Sequence, residues 1–341
     1  MIETSDILLV EACGNVGFQV LRSLVSHGLK VSVCCPSEDE PAMRCGLAGG
    51  TYVTLPHKDE ANYIRQLKDI SVSCGASMIM PVFHPETVAS HRGEFSPVTV
   101  TSDDPDKVEL LDNKLSLHLL AESLGIKVPH RFRSPDEVTC FPVVFRRVKG
   151  QGGDSVYFPK DRRALDNLIR SSAPSSYMIT EYIEGRDISV DAVRWDGFYS
   201  SGAYRTILPE RKGISVLRES IICDEAYAML RKILDNTGYR GVCGADFRLS
   251  ADNELFLLEC NPRFSGGLLS QVISGFDMPW LLYLLAAGQS PEMPVFTPGL
   301  LSGSRAGVDA LCAKGGEEMR NTVLGIVAGR TVSYDDQMLL G

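Results

Sequence analysis

Two apolar runs late in the chain carry charge where charge is costly, and no other feature constrains the fold as much. Gly244-Ala-Asp-Phe-Arg-Leu-Ser250 and Glu254-Leu-Phe-Leu-Leu-Glu-Cys-Asn-Pro-Arg263 read as two strands joined by the polar turn Ala251-Asp-Asn253. Strand side chains alternate between faces, so Glu259 and Asn261 share one face of the second strand while Asp246 sits in the first. Carboxylates are rarely held in apolar strands without a partner or a metal. Two carboxylates and an amide oxygen converging on one face make a hard-oxygen site suited to Mg²⁺ beside phosphates. The pair therefore marks a site and not simply a core. Arg263 follows directly, where a guanidinium can stabilise negative charge developing on an oxyanion. Ser265-Gly266-Gly267 then opens an apolar helical stretch. That turn reads equally as a helix N-cap or as backbone N–H groups offered to a carboxylate.

Upstream, Phe141-Pro-Val-Val-Phe-Arg-Arg-Val-Lys-Gly-Gln-Gly-Gly-Asp-Ser-Val156 runs a cation-bearing strand into a glycine loop. Glycines lack a Cβ, so their N–H groups can wrap phosphate oxygens while Arg146, Arg147 and Lys149 reach the same charge. A flexible hairpin tip has the same composition. Next, Tyr177-Met-Ile-Thr-Glu-Tyr-Ile-Glu-Gly-Arg-Asp-Ile-Ser-Val190 breaks at Glu184-Gly185, with a second strand expected from Asp187. Such a hinge can offer backbone groups to an adenine edge and a carboxylate to a ribose. Taken alone, it is an ordinary connection with solvated charges.

The first hundred residues alternate short apolar runs with helical patterns. Strands are expected at residues 6–11, 30–34, 51–54, 77–80 and 98–100, with a helix after Gly14-Asn-Val-Gly17 stopping at Gly28. Repetition of strand, turn and helix indicates a parallel sheet with helices on both faces, its strand order left open. Ala12-Cys-Gly14-Asn-Val-Gly17 lies close to the dinucleotide fingerprint. The second strand, however, ends Cys34-Cys35-Pro36 with no carboxylate before Glu38. The turn therefore reads first as close helix–strand packing and second as NAD(P) binding. A helix over residues 113–123 follows, with Asp112 as its expected N-cap and Gly125 past its end. Beyond it come longer β-rich stretches, several alternating with period two, so an α+β region succeeds the α/β one. The segment 294–341 gives no clear pattern.

Charge and cysteine usage narrow the partners. Forty-three acidic against 34 basic residues give a formal net charge of -9, which argues against nucleic acid or an anionic membrane as main partner. Local cations at Lys114, Arg146, Arg147, Lys149 and Arg263 still suffice for a small nucleotide. The ten cysteines form no CxxC pair and no zinc-ligand run, and several lie in apolar strands. They read as reduced thiols of a cytoplasmic protein. No signal peptide is recognised and no apolar run approaches the ~18 residues of a membrane span.

In order along residues 1–290, these segments resemble the ATP-grasp superfamily of carboxylate–amine or carboxylate–thiol ligases, in particular amino-acid ligases, carbamoyl-phosphate-synthase-like members and D-alanine:D-alanine ligases. The resemblance implies a Rossmann-like parallel-sheet α/β domain at 1–105, contributing to the substrate site and binding no dinucleotide. An α+β ATP-grasp fold at 106–341 would follow, with a β-rich lid at about 137–183. It further implies that Lys114, Arg146 and the loop glycines Gly150, Gly152 and Gly153 meet the nucleotide phosphates. Glu181 and Ile183 would pair with adenine through their backbones, and Asp187 would hold the ribose. Asp246, Glu259 and Asn261 would bind one or two Mg²⁺ ions, with Mn²⁺ as the alternative. Arg263 would act on the reacting phosphate and tetrahedral intermediate. Arg205, and Arg211 with Lys212, stand where the family often places a further phosphate or substrate contact; Ser265, Gly266 and Gly267 are candidates for a substrate carboxylate through the N–H groups of their turn. As strand-end charges the three cations read equally as solvated. One departure stands out: the family's F-P-V-V-x-K-P is here Phe141-Pro-Val-Val-Phe-Arg146-Arg147, a planar fork replacing a point charge.

The implied activity is ATP-dependent activation of a small carboxylate, such as an amino acid, as an acyl phosphate, followed by attack of an amine. Small-molecule carboxylate and amine are the implied partners, and a homodimer follows from the resemblance alone. Two other readings compete: an NAD(P)-binding reductase or redox sensor using Gly14 and Gly17, and a nucleotide-binding protein without turnover, suggested by Arg146.

Overall fold

The computed structural model describes residues 4–150, 155–173, 176–209 and 215–334. Strands β1 (Ile7–Val10), β2 (Val31–Cys35), β3 (Gly50–Val53), β4 (Met78–Pro81) and β5 (Thr99–Val100) form a parallel sheet in the order β3-β2-β1-β4-β5. Every residue of β1, β2 and β4 is buried, because helices cover both faces of a parallel sheet. That is why these strands read as nearly continuous apolar runs, interrupted only by Ser32, whose hydroxyl is paired with that of Ser5 at 2.8 Å. The chain winds outward from β1 to β3 and then back to β4, so a crevice opens beyond the carboxyl ends of β1 and β4.

The helix Gly14–Ser26 packs tightly on β1's exit. A Cβ at Gly17 would lie 2.1 Å from the Ala12 carbonyl carbon, inside any permissible contact. Packing thus accounts for this glycine. Moreover, the Gly14 N–H donates to the Glu40 carboxylate at 2.6 Å, so a side chain of the protein occupies the position a pyrophosphate would need. Gly17→Ala tests the packing argument. Helix propensity alone would stabilise it by about 1 kcal/mol, whereas overpacking against backbone costs about 2–3 kcal/mol. Net destabilisation in urea unfolding is therefore expected; a stabilised variant would refute the close approach.

A second sheet joins β6 (Arg131–Phe132), β7 (Val143–Arg147), β8 (Val156–Tyr157) and β9 (Tyr177–Glu181) in the antiparallel order β6-β9-β7-β8. Its core is small: Leu165 of the helix Arg162–Arg170 packs with Val138, Val143, Phe145 and Ile179. The third sheet contains β10 (Gly185–Trp195), β11 (Phe198–Pro209), β12 (Ser215–Ile221), β13 (Gly241–Ser250), β14 (Leu255–Asn261), β15 (Leu301–Gly303) and β16 (Val332–Tyr334). Their order is β14-β13-β10-β11-β12-β15-β16, antiparallel except for the last pair. One face of this sheet, with Val190, Phe247 and Leu257, packs on the helices Lys114–Ser123 and Asp224–Thr237. At one end of β10 and β13, Val193 and Val242 share a core with Ile7, Val33 and Phe264, which docks the parallel sheet against the large one.

Three local expectations change. The helix Lys114–Ser123 is capped by Asn113, whose side chain accepts from the Leu115 and Ser116 N–H groups, and not by Asp112. The strand after Glu184 starts at Gly185 and not at Asp187, because pairing with β13 extends to Ser250. Within 294–341, β15 and β16 extend the large sheet, and the helix Arg305–Val327 between them is kinked at Gly316 (φ 62°). All ten cysteines are unpaired. Among the described residues no helix is long and apolar enough to cross a membrane.

Candidate active site

A cavity of about 550 Å³ lies between the face of the large sheet turned from its helices and the β6–β9 sheet, a size typical of small-molecule sites. Its floor is built by β10, β13 and β14. Asp246 and Glu259 are direct register partners across β13 and β14, and a β-bulge follows Asp246. The bulge explains a pattern that strict alternation forbids. Leu255 and Leu257 point into the core, yet Glu259 and Asn261 face the cavity, because Leu258 is the extra residue that shifts the phase. Cys260 points back into the core as packing.

Lys114, at the first turn of its helix, is buried and links two parts of the site. Its Nζ lies 3.1 Å from Glu259 Oε2 and donates to the Gly150 carbonyl at 3.2 Å. Arg146 on β7 is buried as well. Its Nη2 donates to the Leu258 carbonyl, exposed by the bulge, at 2.9 Å and lies 3.1 Å from His118 Nε2. The fork that replaces lysine thus ties the smaller sheet to the floor strand. Burial, and then Arg146, pushes His118 down to about 4, so the imidazole is neutral, and its Nε2 donates to the same Leu258 carbonyl at 3.0 Å.

The two floor carboxylates differ. Burial, with Glu259 adding to it, pushes Asp246 up to about 6, opposed chiefly by a hydrogen bond from Ser189 (2.7 Å). Burial also raises Glu259, but Lys114 and Arg146 outweigh it and hold the carboxyl below its ordinary range. Asn261 donates to Glu259 Oε1 at 3.3 Å and accepts from Arg263 Nη2 at 2.9 Å. Arg263 also donates to the Phe264 carbonyl and lies over the Phe83 ring, 5.7 Å from its centroid. Burial lowers its pKa, with Asp112, Glu259 and Asp246 opposing. The Asp246 and Glu259 carboxylates at the floor offer hard oxygen donors that would suit a small divalent cation, with Lys114, Arg146 and Arg263 around them.

The remaining expected residues are placed as follows. Glu181 and Ile183 line the cavity. The Glu181 N–H donates to the His130 carbonyl at 2.9 Å, and its carboxylate accepts from the His130 N–H at 2.7 Å. Ile183 lies between β9 and β10, outside either strand. Asp187 lines the cavity 3.1 Å from Arg248 Nη1; burial raises its pKa and Arg248 opposes. Ser265 and Gly266 line it too, while the Gly267 N–H is taken by Ser265 Oγ at 3.2 Å. Gly152, Gly153, Arg211 and Lys212 lie outside the described residues.

Arg205 is a correction. Register sets it opposite Ile188 on β10 and Glu219 on β12, and it is ion-paired with Glu219, away from the cavity that its neighbour Thr206 lines. The cation that does reach in is Arg218 on β12, which sequence reasoning missed. A Cβ at Gly267 would stand 1.9 Å from Arg218 Nη1, so this glycine provides the path for the guanidinium. Asp191 was missed as well, although Asp187, Ser189 and Asp191 alternate onto one face of β10. It is 1% exposed, and burial pushes it up to about 6 against the nearby Arg218. Gln271 donates to its Oδ2 and to Ser265 Oγ, while its Oδ1 has no hydrogen-bond partner. Among the described residues Arg218 and Asp191 do not close an ion pair, so opposite charges face one cavity with room between them.

A family described as ATP-grasp in the biosynthetic pathway with Ter operon matches residues 173–312. A D-alanine–D-alanine ligase of Fusobacterium nucleatum is 26% identical over 158 residues, covering 42% of this chain and 53% of the relative. The chain spans about half, or less, of the length of the curated relatives it matches. Among solved structures, the N5-carboxyaminoimidazole synthetase of Staphylococcus aureus superimposes with a TM-score of 0.72 at 17% identity, covering 93% of this chain and 87% of that one. The biotin carboxylase domain dimer of Hydrogenobacter thermophilus 2-oxoglutarate carboxylase, in complex with MgADP, ADP and bicarbonate, gives 0.72 at 15%, covering 88% and 74%. These likenesses show the fold.

Proposed function

We propose, from the family match over residues 173–312 and the likeness to a D-alanine–D-alanine ligase, that the chain is an ATP-grasp protein and an ATP-dependent ligase joining a small carboxylate, an amino acid, to an amine. The observation that carries this reading is the facing pair Asp246 and Glu259 at the cavity floor, ringed by Lys114, Arg146 and Arg263. In this reading residues 106–341 hold the nucleotide, with residues 137–183 as its lid, and 1–105 complete the substrate side. Lys114, Arg146 and the loop of Gly150, Gly152 and Gly153 hold the phosphates. The Glu181 carbonyl and Ile183 N–H take the adenine edge, and Asp187 takes the ribose once it turns from Arg248. Asp246, Glu259 and Asn261 fit Mg²⁺, which when bound neutralises phosphate charge as phosphoryl transfer proceeds.

The chain's own residues then do the positioning. Arg263, held by Asn261 and Phe83, steadies the oxyanion that forms when the amine attacks the acyl phosphate. Asp191 and Arg218 supply opposite charges for an amino acid, the guanidinium for its carboxylate and the free Oδ1 for its ammonium. Two residues along β10 separate Asp191 from Ser189, the neighbour of Asp246, a step of about 7 Å. An α-ammonium at Asp191 therefore leaves its carboxylate near the floor pair.

ADP release across a panel of amino acids and their desamino acids, each with an amine donor, tests both levels. Turnover with neither series, while ATP still binds, would replace the ligase with a nucleotide-binding protein lacking turnover. With turnover present, Asp191→Asn is expected to lower kcat/KM for the amino acid roughly 100-fold and to leave the desamino acid nearly unchanged. An equal loss for both would remove Asp191 from substrate recognition. NADPH fluorescence titration is expected to show no binding, since Glu40 occupies the helix terminus at Gly14.

A further inference from the structure

Outside the nucleotide cavity, at the crevice beyond β1 and β4, three side chains with metal-ligand chemistry converge. Glu11 follows β1, His84 follows β4 and His57 follows β3. One ligand atom from each lies within 4.8 Å of the others. Glu11 Oε1 is 3.2 Å from His57 Nδ1, and Glu11 Oε2 is 3.8 Å from His84 Nε2. None of these groups has a role in the proposed ligase chemistry.

Several independent features show a built site. Glu11 is 4% exposed, and its Oε1 is buried without an aligned hydrogen-bond donor despite the closeness of His57. The Tyr63 hydroxyl, itself buried, donates to the Glu11 carboxylate and fixes its orientation. His84 Nδ1 lies 3.4 Å from Glu86 Oε1 while its Nε2 points toward Glu11. A carboxylate behind an imidazole sets the tautomer that leaves Nε2 free to coordinate, the usual support for a metal-bound histidine. Finally, Glu11 (φ 51°) and His84 (φ 49°) both hold left-handed backbone conformations, which cost non-glycine residues about 1–3 kcal/mol each. Strain at the two residues that aim at one point, and at only two other non-glycine positions among the described residues, marks a site in which geometry matters.

We propose that Glu11, His57 and His84 bind a divalent transition metal of the Zn²⁺ class, separate from the Mg²⁺ residues. Two imidazoles and one carboxylate are borderline donors, suited to Zn²⁺ or Co²⁺ and poorly suited to Mg²⁺, which selects all-oxygen shells. Donor atoms around tetrahedral Zn²⁺ stand about 3.3 Å apart, given bonds near 2.0–2.1 Å. Glu11 and His57 already meet that spacing, and His84 must close by about 0.5 Å. The imidazoles, stacked 3.8 Å apart at 22°, fan out as they turn toward the ion. Three protein ligands leave a position for water or for a donor atom of a substrate. Phe83, next to His84, lies under Arg263, so the site adjoins the reacting end of the nucleotide cavity. The inference stands on the cluster alone and does not require the ligase reading.

The test is Co²⁺ titration of chelator-treated full-length protein in buffer containing excess Mg²⁺. One equivalent is expected to bind with visible d–d absorption of a four- or five-coordinate ion, and Zn²⁺ is expected to bleach it. Glu11→Gln and His84→Ala are expected to weaken Co²⁺ binding at least 100-fold. Glu86→Gln, acting through His84, should weaken it roughly 10–100-fold. His57→Ala, at a part-exposed position, supplies a ligand deletion with little risk to folding. Asp246→Asn with Glu259→Gln should leave the spectrum unchanged. Absence of the d–d bands, bands that survive His57→Ala at full affinity, or bands lost in the Asp246/Glu259 variant would each overturn the proposal.

Discussion

Glu259→Gln is expected to lower the rate of ATP-dependent ADP release by about 10³-fold, equivalent to about 4 kcal/mol of lost transition-state stabilisation. The substitution keeps the side-chain volume and removes one charge. That charge has two duties. It supplies one of the two carboxylates at the floor, opposite Asp246, and it is the anion against which Lys114 and Arg146 are set. Loss of the first raises the Mg²⁺ concentration needed for half-maximal rate. Loss of the second leaves buried cations without their counter-charge, a situation that destabilises a fold. Glu259's side chain is 26% exposed to the cavity, so solvent reduces that penalty to about 1–2 kcal/mol, measurable by urea unfolding in Mg²⁺-free buffer. The activity loss therefore exceeds what instability explains. A variant with ADP release within about threefold of wild type would remove Glu259 from the metal site, since a lost ligand costs far more.

Arg263→Ala is expected to reduce kcat by about 10²–10³-fold while changing KM for ATP little. The guanidinium is anchored on Asn261 and the Phe264 carbonyl and leans on Phe83, so its position is set before substrate arrives. Preorganised charge acts on the transition state because no reorganisation is needed when negative charge develops. Arg263→Lys keeps the charge but cannot hold both anchors, and an intermediate loss is expected. The split between kcat and KM decides the role. If KM for ATP rose and kcat stayed, Arg263 would be a nucleotide contact and not a group acting on the reacting atoms.

How far the site could be read from the chain depended on periodicity. Asp246, Glu259 and Asn261 were legible because charged residues in apolar strands have few bland explanations. Asp187 was legible at its hinge, and Asp191 carried the same alternation two residues on. Arg218 was not, because its reach over Gly267 depends on which strand neighbours which. For the same reason Arg205 fell on the wrong side: two adjacent residues on β11 point oppositely, and only pairing with β10 and β12 says which faces the cavity. The Glu11, His57 and His84 cluster was not legible as a metal site, because its members come from three separate segments of the chain.

The sequence by itself determined the α/β-then-α+β succession, the parallel strands buried on both faces, the acidic floor residues and the tight turn at Gly17. Each of these follows from local alternation, composition or the steric demands of a single turn. Tertiary structure alone decided the strand orders and the bulge at Leu258 that turns Glu259 outward while Leu257 stays in the core. It also decided the occupation of the Gly14 N–H by Glu40 and the meeting of three loops at one crevice. Those outcomes depend on contacts between segments far apart in the chain, and local alternation carries no information about which distant segment will supply the partner.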